Sequence, residues 1–163
     1  MDSDGYFSIY RSTYNIRKIK QSKNPHYFER TGIKQVQPEI VDLIYKYFGG
    51  YRNIQKPNTK NGKPLYGIQL TNLKAHKFIK TIYPFLRLKK KQAKILLLLR
   101  QSLAKGKTHK QKTKWINPRW NKEIETIRYA ISPVEIQKRE NWRKQIKQLN
   151  DSRNDPFHTP IPY

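Results

Sequence analysis

The sequence of 163 residues contains no cysteine, so neither a disulfide framework nor a thiolate metal site can form. Its four histidines, His26, His76, His109 and His158, do not have metal-ligand spacing. The longest aliphatic run, Ile95 to Leu99, is too short to cross a bilayer, and no secretory signal is visible. We therefore expect no membrane partner and no cysteine-based or histidine-based metal centre.

Acidic residues are also scarce, with 11 Asp and Glu against 35 Lys and Arg and a net charge of +24. No acid occurs between Asp42 and Glu123, and the 80 residues between them carry 21 Lys and Arg. A protein that binds a phosphate polyanion benefits from this excess of positive charge, whereas one that acts on a small neutral metabolite gains nothing from the self-repulsion. The charge predicts a nucleic-acid partner. A disordered basic tail or a binder of anionic membranes is the alternative, and the apolar residues interleaved with the charge argue against it.

The first half of the chain has the signals of strands, a helix and a β-hairpin. The predicted elements are a strand over Tyr6–Arg11 that residues 15–20 can extend, a turn at Asn24-Pro25, a strand over Tyr27–Gln37, a helix from Pro38 to Gly49-Gly50 with Ile40, Leu43, Ile44 and Tyr47 as its apolar face, and hairpin strands over Tyr51–Gln55 and Leu65–Leu70. Pro38 suits the first helical turn because its missing N–H costs nothing there. Glycine after the last helical residue is a common helix end.

The second half has the signals of three further helices. The predicted helices run from the cap Asn72 to Tyr83 with Leu73, Phe78, Ile79 and Ile82 apolar, from Lys89 to Leu103 before Gly106, and from Ser132-Pro133 to about Asn150 with Val134, Trp142, Ile146 and Leu149 apolar. Pro84 ends the first of these, and Ile95–Leu99 should lie in the core. Because the hairpins are short, an antiparallel sheet and an α+β class are expected.

Composition changes near residue 105, which predicts a core over residues 1–105 and a basic extension over residues 106–163. The segment after Gly106 interleaves cations with two tryptophans, a pattern that suits tracking of phosphates and stacking on bases. The candidate nucleic-acid contacts here are Lys105, just before this segment, and within it Lys107, Lys110, Lys112, Lys114, Trp115, Arg119 and Trp120. The alternative is that both tryptophans pack onto the protein. The last residues, rich in proline, are expected to be extended.

Three segments, in order, resemble one protein family. Residues 1–9, MDSDGYFSI, resemble the end of a LAGLIDADG motif, with Met1 in place of Ile. Residues 84–99, PFLRLKKKQAKILLLL, are similar to the signature of that family's C-terminal core, and residues 145–153, QIKQLNDSR, to a helix end of its chloroplast intron-encoded members. The chain therefore resembles single-motif LAGLIDADG homing endonucleases of organelle introns, with residues 107–140 as the poorest match.

The resemblance implies a ββαββα saddle-shaped sheet with an extra core helix, followed by a helical and extended extension. It also implies a Mg²⁺-dependent cut in DNA, with Asp4 as metal carboxylate, Ser3 offering a backbone carbonyl, Lys89 as active-site lysine and Gln37 as an active-site polar residue. Candidate nucleic-acid contacts in this part are Tyr6, Ser8, Tyr10, Arg11, Lys34, Gln35, Arg52, Gln69, Lys89, Lys90 and Lys91. Asp4 as a plain turn residue and Lys89 as a solvated lysine remain alternatives.

The sequence departs from the family pattern at its N-terminus, where only Met1 precedes Asp2 and the Leu-Ala-Gly-Leu part is absent. That helix pairs two copies and holds the acids in place, so the departure argues against a homodimer of the family's type and against a correctly anchored Asp4.

Two hypotheses follow from the departure. In the first, the chain is a non-cleaving relative without a cofactor that binds structured RNA such as organelle ribosomal RNA, with ribosomal proteins as further partners. In the second, it is an active endonuclease that uses Mg²⁺ and either starts further upstream or has its missing helix supplied otherwise; an intron maturase lies between the two. The abundance of Lys, Asn, Ile and Tyr is typical of AT-rich genomes and hints at organelle or phage coding, and the family resemblance favours an organelle.

Overall fold

The computed structural model describes residues 5–14, 21–57, 61–105, 109–117 and 122–151. Four antiparallel strands form one sheet in the order β1-β2-β4-β3. The strands are β1 Gly5–Tyr14, β2 Gln21–Gln35, β3 Tyr51–Gln55 and β4 Leu65–Thr71. Strands β2 and β4 are the central pair, so the two hairpins join side by side into one sheet, and the predicted antiparallel α+β class is confirmed.

Helices cover one side of this sheet. They are α1 Pro38–Phe48, α2 Asn72–Ile82, α3 Lys90–Ala104 and α4 Pro133–Asn150, with a single 3-10 turn at Tyr83–Phe85. Gly49 ends α1 with a φ of 65°, and Ser132 caps α4 by accepting a hydrogen bond from the Glu135 N–H. Within the described part of the chain, no helix has the length and apolar character that spanning a bilayer requires.

Two local predictions differ from the structure. Asn24-Pro25 was expected to be a turn, but β2 runs through it, and the β1–β2 register shifts between Ser12 and Tyr14. A shift of this kind is where a strand tolerates proline, because the pairing is already interrupted. Thr71, not Asn72, is the residue before α2, and Asn72 has a φ of 55°. The predicted hairpin extension over residues 15–20 and the extended tail lie outside the described residues.

A second, two-stranded sheet was not predicted. It consists of β5 His109–Asn117 and β6 Lys122–Ala130, paired antiparallel. Alternating lysines in HKQKTKWIN are a period-two pattern, which is also the signal of a strand. The same alternation of lysines also fits a segment that contacts phosphates.

The core lies between the four-stranded sheet and the helices. Its buried residues come from the strands, Phe7, Ile9, Tyr27, Ile33, Ile68 and Leu70, and from the helical layer, Val41, Ala75, Phe78, Ile79, Leu86, Ala93, Leu96, Leu99 and Ile146. The predicted apolar faces are only partly buried, since Ile40, Leu43, Tyr47, Leu73 and Val134 are exposed. Each helix touches the sheet along a narrow side, and for α1 that side is centred on Val41.

Helix α4 packs on the same core as the first hundred residues. Arg139 is 2% exposed, and its Nε donates to the Ser102 Oγ of α3 at 2.8 Å. At the other end of α4, the Asn150 Nδ2 donates to the Phe7 carbonyl oxygen of edge strand β1 at 2.7 Å. These bonds fix α4 across α3 and β1. The predicted division into two regions near residue 105 stays a prediction.

Candidate nucleic-acid interface

Side chains of the four-stranded sheet alternate between a face that packs on the helices and a face on which none of the described helices lies. We call the second the open face, and its rows follow from the register. Tyr6, Gly32, Gln69 and Tyr51 form one row across all four strands, Ser8, Arg30 and Thr71 the next, and Lys34, Gly67 and Asn53 a third. The open face is therefore lined by aromatic, hydroxyl, amide and basic side chains.

The open face carries no carboxylate in the described strands. β1 to β4 contain a single acidic residue, Glu29, and it lies on the helix side with 0% exposure. The Arg100 Nε of α3 donates to its Oε1 at 2.6 Å, and the Arg100 Nη2 bonds its second oxygen. This bidentate pair neutralises the carboxylate within the helical layer.

Arg30 lies at the centre of the open face. Its Nε donates to the Gln69 Oε1 at 2.9 Å, and its Nη2 contacts the same oxygen. The Tyr6 ring centre lies 6.0 Å from the guanidinium carbon, and the Tyr6 hydroxyl donates to Gln69 at 3.4 Å. Gly32 lies opposite Tyr6 in register, and a Cβ there would come within 2.9 Å of the ring. The glycine thus leaves room for Tyr6 to lie flat beside Arg30.

Two further contacts extend the face in opposite directions along the strands. Tyr10 and Phe28 pair with ring centres 4.9 Å apart, towards the far end of the β1–β2 pair. In the other direction, the Lys34 Nζ donates to the Gln55 Oε1 at 3.0 Å and remains exposed. Aromatic and basic groups therefore lie on either side of the central arginine.

Three strand positions expected on this face lie on the helix side instead. Gln35 pairs with Tyr66, and Arg52 pairs with the buried Ile68. The Arg52 Nη1 donates to Asp42 of α1 at 2.6 Å. Arg11 belongs to the same side, 3.9 Å from Glu140 of α4. The reason is parity, because adjacent residues such as Lys34 and Gln35 cannot face the same way in one strand.

The contacts of Glu140 perturb titration on this helix side. Hydrogen bonds from Arg143, whose Nε lies 2.9 Å from the Glu140 Oε1, hold the pKa of the Glu140 carboxyl below its usual value. Burial acts in the opposite direction. The Tyr27 hydroxyl donates to the same carboxylate at 3.0 Å, and burial is the main cause of its raised pKa. The Glu140 carboxylate near Arg11 is thus bonded by Arg143 of α4 and by Tyr27 of β2.

Two of the predicted catalytic residues, Lys89 and Gln37, lie at the end of the sheet where β1 begins. The Lys89 Nζ, at the start of α3, donates to the carbonyl oxygen of Gly5. Gln37 directly precedes α1 and follows the end of β2. Because Gly5, at the start of β1, pairs with Ile33 of β2, Gln37 lies at the same end of the sheet. Asp4 and Ser3 lie outside the described residues. Among the residues that are described, no group of three potential metal ligands comes together.

The remaining predicted contacts are distributed along α3 and the second hairpin. Lys90 and Lys91 are exposed in the first turn of α3, with Lys90 over the Tyr83 ring at 5.5 Å, and Lys105 is exposed after its end. Lys110, Lys112, Lys114 and Trp115 belong to β5. Lys107, Arg119 and Trp120 lie outside the described residues. Whether any of these side chains contacts nucleic acid stays a prediction.

Four residues of the open face were not among the predicted nucleic-acid contacts: Arg30, Tyr51, Asn53 and Thr71. A signal for Arg30 was present, since it has the same strand parity as Lys34, which was selected. Glu29, next to Arg30 in the strand, is buried on the helix side and bonded to Arg100, so only Arg30 of this charged pair lies on the open face.

Solved structures with the same architecture are homing endonucleases. One of them is I-CvuI, whose crystal structure contains an I-CreI target that is not cleaved in the presence of Mg. It has a TM-score of 0.56 and 17% identity, over 92% of this chain and 76% of that chain. The archaeal intron-encoded I-Vdi141I, in complex with DNA, has a TM-score of 0.57 and 14% identity over 92% of this chain and 79% of that chain.

This chain has the LAGLIDADG homing endonuclease fold. The fold expected from the three sequence segments is thereby confirmed, including the extra core helix, which is α3. No protein-family model matches the sequence, and no curated protein matches it significantly. At identities of 14% and 17% the likeness is one of fold, and the LAGLIDADG motif fragment itself ends at Gly5, the first described residue.

Proposed function

We propose that this protein binds double-stranded DNA, with the open face of its LAGLIDADG-fold sheet against the major groove. The observation that carries the proposal is the placement of acidic and basic residues in the sheet. In the described strands, the open face presents Arg30 and Lys34 and no carboxylate, while Glu29, the one acid of β1 to β4, is buried on the helix side. A face that lies between two phosphate backbones is favoured by cations and disfavoured by acids, and the described strands have that composition.

The shape of the groove favours DNA over RNA. The major groove of B-DNA is about 12 Å wide and admits a β-ribbon, whose strands are about 4.8 Å apart. The major groove of an A-form RNA helix is deep and too narrow for side chains to read. The solved structures of I-CvuI and I-Vdi141I, which share the fold, contain DNA. Structured RNA stays an untested expectation and is the alternative outcome of the experiment.

The experiment compares two lysines that differ only in position. Lys34 lies on the open face, and Lys77 is an exposed residue of α2 on the other side of the molecule. Lys34→Gln should weaken binding of a labelled DNA duplex and lower the slope of log affinity against log salt by about one. Lys77→Gln removes the same charge and should change affinity much less.

Fluorescence anisotropy with DNA and RNA duplexes of the same sequence, over a range of salt, measures both quantities. If about six to ten phosphates are contacted, affinity should fall roughly 10³- to 10⁵-fold between 50 and 200 mM salt. Equal effects of the two lysine variants would overturn the proposed interface. Tighter binding of the RNA duplex would overturn the choice of DNA.

DNA cleavage is a second candidate function, and the position of Lys89 favours it. Its bond to the Gly5 carbonyl oxygen holds an ammonium group beside the residue that follows Asp4. The described residues alone do not fit a metal site, so Mg²⁺ at Asp4 and Ser3 rests on the resemblance.

A nicking assay on supercoiled DNA with Mg²⁺ tests this second candidate, using Asp4→Asn and Lys89→Met. Specific cuts that both substitutions abolish would support cleavage. Binding without any cut by the unaltered chain would support the non-cleaving hypothesis. The mass of the complex in solution would decide between a monomer and a dimer on the duplex.

A further inference from the structure

Arg30 is held differently from the other arginines whose contacts are described here. Five arginines each approach a carboxylate: Arg11, Arg52, Arg100, Arg139 and Arg143. Arg30 is instead bonded to the neutral amide oxygen of Gln69. A neutral acceptor orients a guanidinium without cancelling its charge, so the charge remains available to a partner on the open face.

The bonds to Gln69 use only one edge of the guanidinium. A guanidinium has a side edge, formed by Nε and one terminal nitrogen, and an end edge formed by the two terminal nitrogens. Gln69 accepts from Nε at 2.9 Å and from Nη2, which occupies the side edge. Among the described residues, Nη1 has no hydrogen-bond partner. The end edge therefore keeps two parallel N–H directions for a ligand.

The surroundings limit how far the side chain of Arg30 can move. The Tyr6 ring lies on one side of it, held in place above Gly32, and the Tyr6 hydroxyl shares the Gln69 oxygen. Arg30 is half-buried and belongs to a central strand of the sheet. A planar donor fixed at a rigid, central position is suited to recognition of a planar acceptor pair, since little rotamer entropy is lost on binding.

We propose that Arg30 recognises a guanine in the DNA major groove, with Gln69 as the residue that positions it. The inference rests on the proposed DNA binding and names one base contact within it. Guanine presents two adjacent acceptors, O6 and N7, which match the end edge of the guanidinium. Adenine presents N7 beside an N6 amino donor, which would meet an N–H of Arg30. The expected preference for guanine over adenine is roughly 5- to 150-fold at that position.

The test selects preferred sites from a pool of random DNA duplexes with the full chain and then measures their affinities. Arg30→Lys keeps the positive charge but loses the bidentate edge. A lysine can still donate to O6 and N7 but lacks the fixed planar fork, so the preference for guanine should fall by roughly fivefold at one position while the preferences at other positions are kept. Gln69→Leu should do the same in weaker form, because Arg30 remains but is no longer oriented. Lys34→Gln is the matched control and should leave the guanine preference intact.

Each result separates this inference from the proposed function. Equal weakening on all sequences by Arg30→Lys would make Arg30 a phosphate contact and overturn the guanine assignment. An unchanged guanine preference in both variants would overturn it as well, as would selection without any guanine position by the unaltered chain. All three outcomes leave DNA binding standing, whereas absence of binding to any duplex would overturn the proposed function itself. Thermal unfolding of each variant identifies any loss that comes from misfolding.

Discussion

Neighbouring residues on strand β1 differ in exposure because they lie on opposite faces of the sheet. Phe7 is 0% exposed under the helices, while Tyr6 and Ser8, one position away on either side, are half-buried on the open face. The same alternation separates Ile33 from Lys34 on β2 and Leu70 from Gln69 on β4. One face packs in the core and the other carries the proposed DNA contacts, although the residues of both alternate along the same strands.

Charge follows the same division. On the helix side, Glu29 is paired with Arg100, and Glu140 is bonded by Arg143 and Tyr27. On the open face, Arg30 is bonded to the amide of Gln69 and lies beside the Tyr6 ring. Glu29 and Glu140 are therefore neutralised by arginines within the protein, whereas no described carboxylate cancels the charge of Arg30. Four predictions test this comparison, from the largest expected effect to the smallest.

Removing a large side chain from the helix side should cost most. Phe7→Ala deletes a fully buried ring and is expected to lower the free energy of unfolding by about 3–5 kcal/mol. Ser8→Ala, next to it on the open face, loses only a long 3.4 Å bond and should change stability by about 0.5 kcal/mol or less. Urea denaturation measures both. Similar losses for the two variants would contradict the division of the sheet into faces.

The buried ion pair should matter more than an exposed one of similar geometry. Glu29→Gln leaves the Arg100 guanidinium without its carboxylate and should cost about 3 kcal/mol, since Glu29 is fully buried. Asp42→Asn breaks the 2.6 Å pair with Arg52, whose side chains are 58% and 49% exposed, and should cost about 0–1 kcal/mol. Thermal or urea unfolding at neutral pH gives both values. A larger loss from Asp42→Asn would reverse the argument.

A methyl group at Gly32 should affect both faces at once. An ideal Cβ there would lie 2.3 Å from the Ile68 carbonyl oxygen and 2.9 Å from the Tyr6 ring, so Gly32→Ala is expected to cost about 1–3 kcal/mol. It should also weaken DNA binding, because Tyr6 is displaced from Arg30.

Gly67→Ala is the control for this substitution. Its nearest neighbour is the side-chain oxygen of Asn53, also at 2.3 Å, which can rotate away. The cost should be under about 1 kcal/mol. Equal losses in urea denaturation would show that the backbone contact at Gly32 is not the cause.

The smallest expected effect is a pH dependence from the helix side. Hydrogen bonds from Arg143 depress the pKa of Glu140, so its contribution to stability is present above the unfolded pKa, about 4.3, and is lost as pH falls through the folded value. The Glu140→Gln variant should therefore lose less stability than the unaltered protein as pH falls from 6 into the acid range. Unfolding curves measured at the same ionic strength at every pH test this. An identical pH profile for both proteins would remove Glu140 from the account.

Local chemistry allowed most of the elements to be predicted. Pro38 and Gly49 mark the ends of α1, and Ser132 with Pro133 marks the start of α4, because caps and glycine ends depend on a few adjacent residues. The hairpin of β5 and β6 was missed, since its lysine alternation fits a strand and a phosphate-binding segment equally well. The family resemblance also selected Lys89, which the fold brings to the Gly5 carbonyl 84 positions away.

The sequence by itself determined the order of β1 to β4 and of the four helices, the strong positive charge and the absence of acids from residues 43–122. Only the tertiary structure decided which strand residues lie on the open face. Pairing of β2 with β4 places Lys34 outward and Gln35 inward, and pairing of β3 with β4 turns Arg52 towards Asp42. Side-chain direction has a period of two, so a register set by distant strands decides it, and no local pattern can. The same pairing brought Arg30 and Gln69, 39 residues apart, to the centre of the face.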